Sequence, residues 1–292
     1  MTVGVVARRG DEYVRLLRDA GVAVTDDAPE VLLADPNLLA GCDLTGVRWV
    51  QSTWAGVDDV DWSLVPVATV VTSLPGVFGS QMAEFVFGHL LGRSQRVPER
   101  HATRTWDDTL PSTLAGSTIG VLGAGSIGAA IALVARAFGM RIVGCRRSGR
   151  PAAEFDAMYA IDEIETFAAG LEHLVVVLPA TPESTGLVDA RILDLLVHGA
   201  SVINVGRGST VVIGDVIDAV RRGQVSLAVL DVTDPEPLGD DHPAWSVPGI
   251  VITGHTAAHS RPEDVVGFFV ENLARFAADQ PLRGVVDRSK GY

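Results

Sequence analysis

The chain has 292 residues, 47% of them hydrophobic and 20% charged, with no low-complexity tract, a globular composition long enough for two domains. Its formal net charge of −13 argues against general nucleic-acid binding, which needs a basic surface. Two cysteines supply neither a disulfide framework nor a metal-ligand spacing, and the N-terminus lacks the residue order of a signal peptide, so a reducing, cytoplasmic setting is expected.

Residues 2–7 form a short run with β-branched side chains, a first strand. Apolar residues at 13, 14, 16, 17 and 20 then follow a helical spacing that Gly21 stops. Strand-like runs come at 22–25, 31–34, 47–52 and 69–72, the last two separated by a turn-rich, acidic segment around Asp58 and Asp61. Strands alternating with helices predict a parallel sheet. A long apolar helix over 80–96 leads out of this unit, and 101–114, polar with Trp106 and Pro111, reads as a connection.

The next stretch organises the rest. An apolar strand, 119–122, enters a turn with glycines at 123, 125 and 128, and an Ala-rich helical run, 129–138, leaves it. Strand, Gly-x-Gly-x-x-Gly and helix together suit a backbone that must approach a pyrophosphate. Gly123 permits the tight turn, Gly125 removes a Cβ that would block the phosphates, and Gly128 lets helix and strand pack closely. Ser126 and Ile127 open the helix, whose unpaired N–H groups and partial positive charge favour an anion. Residues 116–135 are also uncharged over a membrane-spanning length, but the glycines divide them into strand, turn and helix.

Further strands are predicted at 141–145, 174–178, 201–205, 226–230 and 250–253, with helices at 163–169, 189–197 and 213–222. With 118–122 this is the strand count of a complete dinucleotide-binding sheet. A final helix over 262–278 is expected to pack back on the first unit. The chain then crosses between units near 90–100 and again near 260–265, which predicts a hinge and a cleft.

The strand ending at Cys145 is followed by Arg146, Arg147 and Ser148, with no acid before Glu154. An acid in this region would bind a ribose 2′-hydroxyl, whereas guanidinium groups pair with a 2′-phosphate. NADP(H) is therefore favoured and NAD(H) remains the alternative; a solvated charge cluster is the ordinary reading of such arginines. Three further strand ends carry Arg207 between two glycines, Glu236 between two prolines, and His255. A glycine on each side is expected to leave Arg207 exposed backbone and room to aim its fork at a carboxylate. Open α/β sheets place ligands at these ends, so the recurrence points to one site. His259 follows His255 at a spacing that could chelate a metal on a helix, but no acid or cysteine accompanies the pair, and no metal is expected.

These residues resemble the D-isomer-specific 2-hydroxyacid dehydrogenases. The resemblance rests on 54–58, on Pro75, Gly76, Ala83 and Glu84, on 123–128, 179–185, 204–208, 230–238, 242–245 and 255–258, and on the tail. The basic stretch at 146–148 and the ending Ala257, Ala258, Arg261, Pro262 resemble the NADPH-using glyoxylate and hydroxypyruvate reductase branch. The resemblance implies a Rossmann-type doubly wound parallel sheet domain, 96–262, and a smaller flavodoxin-like α/β substrate domain, 1–95 plus 263–292. It implies a catalytic set of Arg207, Glu236 and His255, and backbone N–H groups of Ala55, Gly56 and Val57 on the substrate carboxylate. Pro179, Val205, Gly206 and Asp231 join the glycine loop and 146–148 around the cofactor. A homodimer, with contacts around 103–114, and a small 2-keto or 2-hydroxy acid as substrate are also implied. Gly254 departs from the family's usual proline before the histidine. Two alternatives stay open: a nucleotide-sensing or corepressor-type protein on the same scaffold, and a formate- or phosphite-type dehydrogenase.

Overall fold

The structure, a computed structural model, describes residues 2–291. The chain divides into two compact units, Met1–Phe78 with His259–Tyr292, and Gly79–Ala258. Among the described residues no helix is long and apolar enough to cross a membrane.

In the first unit, strands β1 (Val3–Val6), β2 (Val31–Ala34), β3 (Trp49–Ser52) and β4 (Val70–Thr72) form a parallel sheet in the order β1-β2-β3-β4. The strand expected at 22–25 is reduced to one bridge, Val24 to Val3, with the Thr25 N–H donating to the Val3 carbonyl at 2.9 Å. Gly21 before it and Asp26 and Asp27 after it leave no length for a ladder. It sits beyond β1, so the chain order across the unit is the 2-1-3-4-5 arrangement of a flavodoxin-like sheet. Helix α1 (Gly10–Asp19) buries Tyr13 and Leu17, and the last helix, α8 (Pro262–Ala277), packs beside it. Trp49, fully buried on β3, stacks on Phe269 of α8 at 5.1 Å. The tail returns to the sheet edge, where the Val286 N–H donates to the Val71 carbonyl at 2.9 Å.

The second unit holds seven parallel strands: β5 (Thr118–Leu122), β6 (Arg141–Cys145), β7 (Ala157–Tyr159), β8 (His173–Val176), β9 (Ala200–Asn204), β10 (Val225–Leu230) and β11 (Ile250–Ile252). Their order is β11-β10-β9-β8-β5-β6-β7. The chain winds outward from β5 through β6 to β7, then returns to β8 and winds the other way. The reversal between β5 and β8 opens a crevice at the carboxyl ends of the strands. The strand β7 has no counterpart in the sequence-based reading: it is three residues long and half-buried, too short to show a period. Helices α4 (Ser126–Ala137), α5 (Ile164–Ala168), α6 (Ala190–Leu193) and α7 (Ile213–Arg221) are the crossovers.

Helix α2 (Gly79–Ser94), followed by the short α3 (Val97–Ala102), belongs to the second unit, against the boundary expected at 95/96. Its buried residues Ala83, Val86, Phe87 and Leu90 share a core with Ile131 and Ala135 of α4. Phe87 stacks on Phe138 at 5.2 Å. A Cβ on Gly79 would lie 2.7 Å from that of Ala130, so the absent side chain permits this close approach. The larger polar residues of α2, Gln81, Glu84, His89 and Arg93, are too few and too scattered to mark a preferred side in sequence, and the fold chose α4 as its partner. The return crossing likewise falls between Ala258 and His259 rather than after 262.

Candidate functional site

The glycine loop joins β5 to α4. Gly123 has φ +111, and a Cβ there would meet the Val177 carbonyl oxygen at 2.5 Å. A Cβ on Gly128 would come 2.5 Å from the Gly123 carbonyl oxygen, whereas one on Gly125 would meet nothing within 4 Å. Two glycines thus allow the loop to close on its own sheet, and the middle one faces open space that a ligand can enter. Gly125 is the N-cap of α4 and no side chain caps the helix, so the first N–H groups of its opening turn, beginning at Ser126 and Ile127, have no capping partner. This cradle fits a pyrophosphate.

Arg207 follows β9, Glu236 follows β10 and His255 follows β11, three neighbouring strands of one sheet. The glycines beside Arg207 are there for packing rather than for room. A Cβ on Gly206 would lie 2.7 Å from the Leu178 carbonyl oxygen, and one on Gly208 would lie 2.0 Å from the Thr233 carbonyl carbon. The Arg207 loop is therefore pressed between the loops that follow β8 and β10. Its Nη1 donates to the Gly206 carbonyl at 2.8 Å.

His255 Nδ1 and Glu236 Oε1 are 2.7 Å apart. Both side chains are open to solvent, 49% and 43% exposed, so the bond adds little stability. What it does is fix the ring: Nδ1 faces the carboxylate, and Nε2 is the nitrogen left for another partner. The peptide bonds to Pro235 and Pro237 on either side of Glu236 are both cis.

The backbone at His255 is left-handed, φ 56, which costs a non-glycine residue about 1–2 kcal/mol. Asp231, the first residue after β10 and only 2% exposed, holds it there. Its Oδ1 accepts from the Thr253 hydroxyl at 2.5 Å and the Thr256 N–H at 2.8 Å, and its Oδ2 from the Ala257 N–H at 3.0 Å. Its carbonyl accepts the His255 N–H at 2.8 Å. This bracing has no signature in the sequence. His89, on α2, was also passed over; burial pushes its imidazole below the usual histidine range, and the charge of Asp231 pulls the other way.

At the end of β6, the Arg146 Nη2 donates to the carbonyls of Arg150 and, at 3.1 Å, Pro151, so this guanidinium partly braces its own loop. Its Nε is buried and has no hydrogen-bond partner among the described residues. Arg147 and Ser148 are exposed. Glu183 is held below the usual carboxylate range by a backbone hydrogen bond and the Thr181 side chain, and the charge of Arg147 adds to this. Arg147 thus faces the turn after β8, which begins at Pro179. That turn is closed by Ser184, whose hydroxyl donates to the Pro179 carbonyl at 2.7 Å. Val205 is buried beneath the same edge.

In the first unit, Ala55, Gly56 and Val57 follow β3. None of their backbone N–H groups donates to another described residue. Consecutive unpaired N–H groups on a turn form an anion-binding concavity.

Residues 87–257 match the family model described as D-isomer specific 2-hydroxyacid dehydrogenase, NAD binding domain. A glyoxylate/hydroxypyruvate reductase A of Serratia proteamaculans is 32% identical over 94% of this chain and 88% of its own. A crystal structure of a D-isomer specific 2-hydroxyacid dehydrogenase family protein from Aeromonas salmonicida superposes with a TM-score of 0.87 at 37% identity, covering 98% of both chains. One from Xanthobacter autotrophicus, in complex with NADPH and MES, also gives 0.87 at 29% identity over 100% of this chain and 99% of that one. Sheet order, glycine loop and these likenesses agree: the chain belongs to the D-isomer specific 2-hydroxyacid dehydrogenase family, as an NAD(P)-dependent oxidoreductase of the glyoxylate/hydroxypyruvate reductase-like branch.

Proposed function

We propose that the protein reduces a small 2-keto acid of the glyoxylate or hydroxypyruvate kind to the D-2-hydroxy acid, with NADPH as the preferred reductant. The observation that carries this reading is the 2.7 Å His255–Glu236 pair at a strand end two places from that of Arg207. Arg207 is assigned to the substrate carboxylate, and in the first unit the N–H groups of Ala55, Gly56 and Val57 offer the chemistry that binds a carboxylate. Arg207 also polarises the ketone oxygen. Bound NADPH supplies the hydride to the carbonyl carbon. His255, with Nδ1 committed to Glu236, gives its Nε2 proton to the carbonyl oxygen as the carbonyl π bond breaks, and leaves as neutral imidazole. Glu236, opposite Nδ1, keeps the ring turned so that Nε2 is the nitrogen offered to the substrate. In the reverse direction neutral His255 takes the hydroxyl proton.

The dinucleotide is held by Gly123, Gly125, Ser126, Ile127 and Gly128 at the pyrophosphate. Pro179, Val205, Gly206 and Asp231 lie along the same strand ends as the nicotinamide side of the site. Arg146, Arg147 and Ser148 take the 2′-phosphate; the exposure of Arg147 and Ser148 at the end of β6 supports this. A homodimer goes with the reading, since Trp106 and Leu110 are 93% and 86% exposed on the 103–114 segment. So does a cytoplasmic setting, in which the thiols of Cys42 and Cys145 stay free.

The test is the oxidation of NADPH and of NADH, measured side by side over a panel of 2-keto acids. Turnover of glyoxylate or hydroxypyruvate, faster with NADPH, is expected. Faster turnover with NADH contradicts the assignment of 146–148, and no turnover of any keto acid contradicts the reaction.

A further inference from the structure

The loop after β3 is bonded firmly on both sides and left open in the middle. Thr53 is completely buried, and each of its polar groups is engaged. Its N–H donates to the Ala34 carbonyl at 3.0 Å, and its hydroxyl donates to Asp35 Oδ1. Its carbonyl accepts the Ser260 hydroxyl at 2.6 Å. Asp35 is 5% exposed, and its other oxygen accepts the Arg8 N–H at 2.9 Å, so the buried carboxylate is paired on both sides. The next residue, Trp54, has its N–H and its carbonyl both bonded to the Ser52 hydroxyl, at 2.9 and 3.0 Å. Beyond the loop, the Val57 carbonyl accepts the Val60 N–H at 3.1 Å. Within 53–57, Ala55, Gly56 and Val57 keep N–H groups that bond to no described residue.

We propose that Asp35, Thr53 and Ser260 are positioning residues that preset the Trp54–Val57 loop, so that its three open N–H groups stand ready for a substrate carboxylate. This rests on the reading of that loop as the carboxylate site. Ser260 sits in the first unit with the loop it holds, as does Asp35. A loop anchored only at Ser52 would have to order itself when substrate arrives, and the ordering cost would appear as weaker binding. Asp35 and Ser260 remove that cost from two directions, through the side chain and the carbonyl of one buried threonine. None of the three touches the reacting atoms, so their loss acts on affinity and leaves the chemical step nearly intact.

The experiment compares the full-length wild type with Ser260→Ala, Ser260→Thr and Thr53→Val. Thr53→Val strips a buried Asp35 oxygen of its donor and is the variant at risk of misfolding; Ser260→Ala removes one half-buried hydroxyl and keeps the test open. Two quantities are read: keto-acid kinetics with saturating NADPH, and the dissociation constant of oxalate, a dicarboxylate probe, by calorimetry. Ser260→Ala is expected to raise the keto-acid KM and weaken oxalate about tenfold, with kcat within about twofold and the KM for NADPH unchanged. Ser260→Thr restores both. If the wild type turns over keto acids while Ser260→Ala and Thr53→Val leave KM and oxalate affinity unaltered, the positioning role is wrong. If no keto acid is reduced yet oxalate binds the wild type and weakens in Ser260→Ala, the positioning role stands and the proposed reaction is what fails.

Discussion

Each unit of the molecule places a buried aspartate on the first residue after a strand, Asp35 after β2 and Asp231 after β10. They are wired differently. Asp231 collects the Thr253 hydroxyl and the N–H groups of Thr256 and Ala257, all from the segment that bears His255. Asp35 collects one donor from Arg8 and one from Thr53, two separate segments, and neither belongs to a group assigned to the chemistry. One carboxylate therefore holds His255, the proposed proton donor, in a left-handed backbone that it would not keep alone. The other holds a loop whose proposed use lies in N–H groups left unbonded. A strand end can serve a site by aiming a side chain or by keeping a backbone open, and the number of donors drawn from one segment tells the two apart.

The contrast predicts which measured quantity each change moves. Asp231→Ala leaves three donors unanswered, so kcat is expected to fall by about 10²–10⁴, the full contribution of a positioned acid–base group, with a lower Tm. Steady-state kinetics and thermal unfolding check this. An unchanged kcat would mean that His255 is held by something other than Asp231. Gly208→Ala comes next. Its new Cβ would overlap the Thr233 backbone at 2.0 Å. Forcing the Arg207 and Glu236 loops apart is expected to cost about 1–3 kcal/mol of stability and to lower kcat with it. Gly254→Ala is the control: its Cβ would meet nothing within 4 Å and its φ is not left-handed, so its stability is expected to match the wild type. A larger loss in Gly254→Ala than in Gly208→Ala would reverse the ranking.

Arg147→Ala should raise the KM for NADPH about tenfold and leave that for NADH alone, since a guanidinium pairs with a phosphate but has nothing to pair with on a ribose hydroxyl. Equal effects on both cofactors would remove Arg147 from the 2′-phosphate site. The smallest expected effect concerns His173, at the opposite, amino-terminal edge of the seven-stranded sheet. Burial pushes its imidazole below the usual histidine range, and its Nδ1 has no partner. A depressed folded value means its contribution is complete above the unfolded histidine value, about 6.5, and is lost as pH falls through the folded one. His173→Gln should therefore flatten the acid limb of the Tm profile without changing neutral activity. An acid limb identical to the wild type would assign it to other groups.

The sequence was most legible where chemistry imposes a pattern. The strand–glycine–helix stretch at 118–138 marked a tight turn at Gly123 and a close approach at Gly128, and the strand ends carrying Glu236 and His255, expected at one site, do bring the two side chains within 2.7 Å. It was least legible where partners lie far apart in the chain. Asp231 was singled out only through the resemblance, beside the cofactor and not as a brace, and Asp35 not at all, since their donors come from 22 to 26 residues later and from 18 or 27 residues away. Glycines 206 and 208 were read as openness when they allow contact, because a sequence shows a missing side chain but not the backbone that fills the space. Helix α2, expected with the first unit, groups with the second for a related reason: its few polar residues mark no clear stripe in sequence, and the stacking of Phe87 on Phe138 and the fit of Gly79 against Ala130 join it to α4.

The most direct measurement is the rate of NADPH-dependent reduction of glyoxylate and hydroxypyruvate by His255→Ala beside the wild type, with NADPH affinity measured in both. The wild type should turn over, and the variant should bind NADPH as tightly while losing about 10²–10⁴ in kcat. A variant that reduces either keto acid as fast as the wild type would contradict the assignment of His255 as the proton donor.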